Sequence, residues 1–259
     1  MVDVEKFFRD GYVIVEGAID AETIDAVKRD ITDKVNEEEV KTQADGFHYS
    51  ESPRVFEAWK FSKAVRDVAC NQKVMDTVKE LYGVQSDIFP FQTINFIKGS
   101  NQPLHSDSIH FYTEPEGWMV GTWAAFEDMD EGNGTLRYVP GSHKLPHVDF
   151  PMLGMSVPEY GKEMDHYRKY EDYVRERVKQ NGLEETPLIC KKGDVIIWAS
   201  RLFHGGLEIK DPSRTRWSQA THYYFSGCEK YYSPMYSDKM NGVFSEKDLS
   251  SKTIINYED

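Results

Sequence analysis

The sequence predicts a mainly β fold, a sandwich or barrel with flanking helices, from three observations. Apolar residues recur at helical spacing near the amino terminus. From Ile88 onward, short strand-like runs are punctuated by Gly, Pro, Asn and Asp. One charged, helix-favouring stretch interrupts those runs. With 259 residues, 39% of them hydrophobic, the chain can bury one sizeable core, so a single domain over 1–259 is expected, with a helical part at about 1–85. No internal repeat, low-complexity tract or Pro- or Ser-rich linker marks a boundary.

Taken in order, Phe7 to Tyr12 with Val13 and Val15 reads as a short opening strand after Gly11. Asp20 then offers a helix N-cap, and Ile24, Val27, Ile31 and Val35 form one apolar stripe over Ala21 to Asn36. A second helix is predicted over Gln72 to Tyr82, with Val74, Val78 and Leu81 on one face and Gly83 as its stop. The strand-like runs are Ile88 to Ile97, Trp118 to Phe126, Gly134 to Val139, Val195 to Trp198 and Arg216 to Phe225. Between them, Gly161 to Asn181 carries Tyr167, Tyr170, Val174 and Val178 as a sparse stripe, which suits a surface helix covering the barrel or part of a lid.

A formal net charge of −13 repels phosphate backbones and anionic lipid, which disfavours nucleic acid and membrane surfaces as partners and leaves a small molecule. Cys70, Cys190 and Cys228 are odd in number and widely spaced, as expected of reduced thiols rather than a disulfide framework. No apolar run approaches the roughly 20 residues of a membrane span, and Met1 to Lys6 lacks the form of a secretory leader. A cytoplasmic setting is the expectation; oligomeric state is not legible.

The most informative residues are His105-Ser106-Asp107 and, far downstream, His204 in Phe203-His204-Gly205-Gly206. Two imidazoles and one carboxylate suit Fe(II), and three ligands on one face leave coordination positions open. Alternate residues of a strand point the same way, so His105 and Asp107 are expected on one strand. The spacing alone is weak: a second copy, His147-Val148-Asp149, follows Pro140-Gly141-Ser142-His143 and precedes Pro151, and reads as loop.

Several blocks in order give the first copy its context. They are Phe8-Arg9-Asp10-Gly11-Tyr12-Val13, Pro103-Leu104-His105-Ser106-Asp107, Trp123 to Glu127 followed by Asn133-Gly134-Thr135-Leu136, Pro140 to Lys144, and Lys192-Gly193-Asp194-Val195 leading into His204-Gly205-Gly206. Arg216 ahead of His222-Tyr223-Tyr224 completes them. Together they resemble the phytanoyl-CoA dioxygenase-like family of Fe(II)/2-oxoglutarate oxygenases, over most of the chain. The resemblance implies a double-stranded β-helix, a cupin-like jelly-roll barrel at about 86–228. It also implies a dioxygenase that hydroxylates an aliphatic carbon of a small molecule with Fe(II), 2-oxoglutarate and O2, releasing succinate and CO2. His105, Asp107 and His204 would be the metal ligands. Because Asp107 retains the carboxylate that halogenating relatives lack, hydroxylation is favoured over chlorination.

Arg216 is the expected anchor for the far carboxylate of 2-oxoglutarate, through a bidentate guanidinium fork. Arg214 is its rival, since the family's usual spacing from the distal histidine falls between the two; Arg216 is preferred for its interval to His222 and for sharing a strand face with Ser218, Ala220 and His222. Trp123 matches a tryptophan beside the co-substrate in the family, or is simply core. Gly206 stands where a serine is frequent and Phe96 where some relatives have asparagine, so Gln92, Thr93 and Lys98 are candidate replacements for those contacts. His110, Phe111, Tyr112 and Trp118 could line a substrate pocket or pack in the core. Arg137 could pair with a substrate carboxylate or reach solvent, and His48 to Glu51 could cover the mouth. Two other readings remain: a non-redox jelly-roll metal protein such as a zinc hydrolase, and a binding protein that has lost catalysis.

Overall fold

In the computed structural model, which describes residues 2–36, 54–249 and 254–256, the first departure from expectation lies at the amino terminus. Asp3 accepts the Lys6 N–H and caps a helix, α1 (Val4–Asp10), which Gly11 ends in the left-handed conformation at φ 90°. The opening strand, β1 (Tyr12–Val15), therefore starts only after that glycine. Next come α2 (Ala21–Asn36), β2 (Arg54–Phe56), α3 (Lys63–Ala69) and α4 (Gln72–Tyr82). The sequence reading missed α3; Ser62 caps it by accepting the Val65 N–H, but seven residues are too few to display a periodic stripe.

The β region follows as β3 (Ile88–Phe96), β4 (Tyr112–Glu114), β5 (Met119–Ala125) and β6 (Leu136–Tyr138). After α5 (Met164–Gln180) come β7 (Thr186–Pro187), β8 (Val195–Ala199), β9 (His204–Gly206), β10 (Ser218–Phe225) and β11 (Lys230–Tyr232). Six of these form an antiparallel sheet in the order β1-β8-β5-β10-β3-β2, faced by a smaller sheet β7-β6-β9, while β11 pairs with β4. This is the expected mainly β jelly roll with flanking helices.

Strand parity divides the large sheet's residues between two jobs. Val13, Val15, Val120, Ala124, Val195, Ile197 and Tyr223 point outward and share a core with Ile24, Val27 and Ile31 of α2, Val65 of α3, and Val74 and Val78 of α4. Trp123, Ala125, Ile196, Trp198 and Ala220 point inward and meet Leu136 and Tyr138 of the smaller sheet. Both faces are thus covered, which is why β5 and β10 are buried along their whole length. Trp118 belongs to the outer layer, its ring 5.2 Å from Phe225 and 5.9 Å from Tyr82, so it does not line a pocket as expected.

Tyr167, Tyr170, Val174 and Val178 of α5 pack with Ile109, Phe150 and Phe203. That covers the smaller-sheet side of the barrel, as the stripe predicted. Among the described residues no helix is long and apolar enough to cross a membrane. His48 to Glu51 lie outside the described residues.

The second HxD copy is loop, as expected. Its His147 packs with its ring tilted 4.6 Å from that of Tyr112 and bonds the Ser108 hydroxyl through Nδ1. Burial pushes this imidazole down to about 3, so it is neutral in the fold at pH values where the unfolded chain's histidine, near 6.5, takes a proton. The unfolded state then binds more protons, and stability falls as pH drops through that interval. Urea denaturation at roughly pH 7 and pH 5 should show a loss from this site on the order of 1 kcal/mol, discounted for partial solvent access. His147→Gln should shrink the loss; an unchanged acid limb would exclude His147 as its source.

Candidate metal centre

His105 and His204 are brought together by their backbones. Each donates its N–H to the other's carbonyl, at 3.0 and 2.9 Å, forming one isolated antiparallel bridge with the rings 4.6 Å apart. Asp107 does not continue a strand, contrary to the expectation. Its carbonyl accepts the N–H groups of His110 and Phe111, both at 2.9 Å, and turns the chain into a short 3-10 helix over Asp107–Ile109. The side chains of His105, Asp107 and His204 still converge: each offers a ligand atom, and these lie within 4.8 Å of one another.

What aims them is the binding of each side chain's other polar atom. His105 Nδ1 donates to the Pro103 carbonyl at 3.0 Å, and His204 Nδ1 to that of Leu202 at 3.0 Å, which leaves both Nε2 atoms as lone-pair donors toward the centre. Arg54 donates to Gln102 Oε1, which turns the Gln102 amide nitrogen onto His105 Nε2 at 3.2 Å; this contact marks Nε2 as the acceptor nitrogen, and a metal bound there would take over the same lone pair and displace the amide. Asp107 Oδ2 accepts the Trp198 indole N–H at 2.7 Å, freeing Oδ1, which lies 3.6 Å from His204 Nε2.

Burial pushes the His105 imidazole well below its usual range, with His204 reinforcing it, so it stays neutral. Burial alone would raise the Asp107 carboxyl, but the His204 and His222 imidazoles hold it well below the usual carboxylate range. Two imidazole nitrogens and one carboxylate oxygen, on side chains whose other polar atoms are committed elsewhere, fit a divalent first-row metal.

The cluster opens on a cavity of about 260 Å³ between the two sheets. Gln92, Ile94 and Phe96 line it from β3; Thr93 falls on the opposite face, fully buried, so it cannot make the contact suggested for it. Lys98 is exposed. Arg216 is 2% exposed, with its guanidinium 5.2 Å from the Phe96 ring and 5.7 Å from that of Trp123. One of its nitrogens donates to the Gly134 carbonyl at 3.0 Å, while Nε is buried with no hydrogen-bond partner among the described residues. Burial, with the neighbouring Arg54 cation, pushes this group down to about 9. Among the described residues no carboxylate bonds this buried cation, and such a group fits an anionic ligand. Arg214 instead bonds Asp130 at 2.7 Å on the outside of the barrel.

His110 and Phe111 line the cavity, and His110 Nε2 bonds the Tyr167 hydroxyl at 3.0 Å. Tyr112 turns away to Tyr232 and His147, and Arg137 pairs with Glu185 at 2.8 Å outside the cavity, so neither lines it. Gly206 has a physical reason: a Cβ there would lie 2.9 Å from Ser100 Oγ and 3.1 Å from the Asn101 nitrogen, leaving no room for serine without movement.

Sequence reading passed over the roles of Trp198, Gln102, Arg54, Tyr167 and His222. The last was legible from its parity with Arg216, which lies two residues ahead of β10. Its Nε2 lies 3.5 Å from Asp107 Oδ1, beside the Phe111 ring.

The family model described as phytanoyl-CoA dioxygenase matches residues 7–217. The chain belongs to this family. Among relatives, the phytanoyl-CoA dioxygenase domain-containing protein 1 of Danio rerio is 25% identical over 238 residues, covering 70% of this chain and 79% of that protein. The peroxisomal phytanoyl-CoA dioxygenase of Bos taurus is 31% identical over 113 residues, but the match spans only 42% of this family member and 29% of the bovine protein. In fold, the chain is similar to the non-heme alpha ketoglutarate dependent carbocyclase SnoK from nogalamycin biosynthesis, with a TM-score of 0.69 at 15% identity, covering 89% of this chain and 84% of that one.

Trp198→Phe removes the indole N–H that donates to Asp107 Oδ2 while keeping most of the ring's packing. Titration with Mn(II) or Co(II) should show affinity lowered by about 10–100-fold, the usual effect of losing a group that orients a metal ligand. Wild-type affinity in this variant would mean that the indole does not orient the carboxylate.

Proposed function

We propose that this family member is an Fe(II)- and 2-oxoglutarate-dependent dioxygenase that hydroxylates an aliphatic carbon of a small molecule and releases succinate and CO2. The single observation that carries the reading is the pairing, inside one cavity, of the His105-Asp107-His204 cluster with the buried guanidinium of Arg216. Family membership and the similarity to an alpha ketoglutarate dependent enzyme support it. His105, Asp107 and His204 hold the metal, whose contribution when bound is redox chemistry with O2.

Arg216 takes the far carboxylate of 2-oxoglutarate, and the rings of Phe96 and Trp123 against it exclude water and strengthen that charge-assisted bond. Gln92 lies on the same cavity wall and contributes a polar contact. Asp107 supplies the negative charge, held ionised by its neighbours. Because a carboxylate fills that position, an oxygen rather than a halogen is the group delivered. The partner is a small molecule, with no nucleic acid or membrane, as the acidic balance suggests. A zinc hydrolase has no need of a buried arginine clamp in the same cavity, and an inactive binding protein has no need to keep all three ligand side chains converged.

Succinate release should require added Fe(II) and stop with a chelator. Asp107→Ala should abolish it. Arg216→Ala should raise the KM for 2-oxoglutarate by about 100-fold, the scale of removing one partner of a buried charge pair, and Arg214→Ala by less than about threefold, the scale of an exposed pair. Equal effects of the two arginine substitutions would contradict the assignment, as would turnover in Asp107→Ala.

A further inference from the structure

The arginine end of the cavity is closed by the loop that follows β3, and that loop delivers a hydroxyl. The Arg216 N–H donates to the Ile97 carbonyl at 2.8 Å, one residue past the end of β3, so the loop leaves the sheet beside the arginine. It then passes tightly over the same place. The Arg216 guanidinium donates to the Gly134 carbonyl at 3.0 Å, and a Cβ on Gly99 would lie 3.3 Å from that oxygen and 2.7 Å from Ile209 Cγ1. Only a residue without a side chain fits there undisturbed. Ser100 comes next, 3% exposed and on the cavity wall.

Gly206 decides where the Ser100 hydroxyl goes. Asn101 takes the left-handed backbone conformation at φ 43°, which asparagine tolerates. The Gln102 carbonyl then accepts the Gly206 N–H at 2.9 Å, which docks the loop along the edge of β9 opposite β6. Gly206 shares a strand face with the metal ligand His204, two residues before it, and pairs with Leu136, itself on the cavity wall. A Cβ at position 206 would lie 2.9 Å from Ser100 Oγ, so the hydroxyl takes the space that a side chain would have filled. The hydroxyl therefore stands in the layer of the wall that carries the metal ligands, at the end where Arg216 sits.

A carboxylate bound at that end has use for this donor. Its two oxygens offer about four acceptor sites, and each one left unpaired in a dry site costs free energy. One Arg216 nitrogen is already committed to Gly134, and the faces that Phe96 and Trp123 turn to the guanidinium carry no donor. The other polar groups of this wall lie nearer the metal: the Gln102 amide is turned onto His105, and Gln92 pairs across the strands with His222, beside Asp107. Ser100 supplies a neutral donor at the arginine end.

Resting on the dioxygenase reading, we infer that Ser100 is a further binding residue for the co-substrate, its hydroxyl donating to the far carboxylate of 2-oxoglutarate beside Arg216. The guanidinium supplies charge, and the hydroxyl supplies direction. A keto acid without that carboxylate gains nothing from the hydroxyl, so Ser100 sharpens the preference for a dicarboxylic co-substrate. The donor comes from the loop after β3 and not from β9, and position 206 is bare because a side chain there would displace it.

The test measures binding rather than turnover. The full chain is loaded with Mn(II), and 2-oxoglutarate is titrated into wild type, Ser100→Ala and Arg216→Ala by calorimetry. A second keto acid, 2-oxopentanoate, has the same chain length but a methyl group in place of the far carboxylate. Ser100→Ala should weaken 2-oxoglutarate by about tenfold, the size of one hydrogen bond to a charged group, and Arg216→Ala by more. The Mn(II) affinity of Ser100→Ala should match wild type, and 2-oxopentanoate should bind both proteins equally, however weakly.

Unchanged 2-oxoglutarate affinity in Ser100→Ala overturns the inference. So does an equal loss for the two keto acids, or a matching loss of Mn(II) affinity, since either would mean that Ser100 only shapes the loop. A wild type that binds Mn(II) but not 2-oxoglutarate removes the dioxygenase reading beneath it, whereas a wild type that binds both and loses the keto acid only in Arg216→Ala leaves that reading standing without Ser100.

Discussion

Every inference about the site depends on how the second polar atom of each ligand side chain is held. An imidazole or carboxylate at a cavity wall can rotate, and a free ring nitrogen or oxygen would seek whatever donor it met. Here the Pro103 and Leu202 carbonyls take the Nδ1 protons of His105 and His204, and the Trp198 indole takes one oxygen of Asp107. Only the remaining atoms face inward. The site is thereby organised by backbone carbonyls and one strand residue, both parts of the fold that side-chain motion does not displace.

The barrel makes this economical in space. Gly121 on β5 lies beneath the pair, where a Cβ would come 2.5 Å from the Trp198 ring and 2.6 Å from Asp107 Oδ2. Its missing side chain is the room in which indole and carboxylate meet. Across β10, parity then places Ser218, Ala220 and His222 on the cavity side, with Gln219, Thr221 and Tyr223 toward the helices. A bulge in β3, where His222 pairs with Gln92 but Tyr223 with Pro90, frees Phe91 to stack 4.0 Å from Tyr224 and support Phe111. One strand pair thus links the arginine end of the cavity to the aromatic end.

Much of this was legible in the sequence wherever periodicity and capping agreed. The stripes of α2 and α4 are long enough to fix their bounds, and the jelly roll followed from ordered motif blocks. Short elements were harder. Phe7 and Phe8 suggested a strand because the cap at Asp3 carries its signal over only a few residues, and Asp107 left its strand because its own carbonyl turned the chain. Spacing could not separate Arg214 from Arg216 across an irregular loop; strand parity could. Thr93, Trp118 and Arg137 were misplaced for want of knowing which face of each strand looked inward. The segment after β11 has no repeat or stripe, and its return is set by the isolated bridges Tyr232–Glu246 and Asp238–Val243, which no periodic pattern announces.

The most direct measurement is an anaerobic crystal structure with Fe(II) and 2-oxoglutarate, with anomalous differences collected at the iron edge. The account requires one iron peak bonded to His105 Nε2, His204 Nε2 and an Asp107 oxygen, with a carboxylate of the keto acid on Arg216. An iron peak away from these three side chains, or a keto acid that leaves Arg216 untouched, would contradict it.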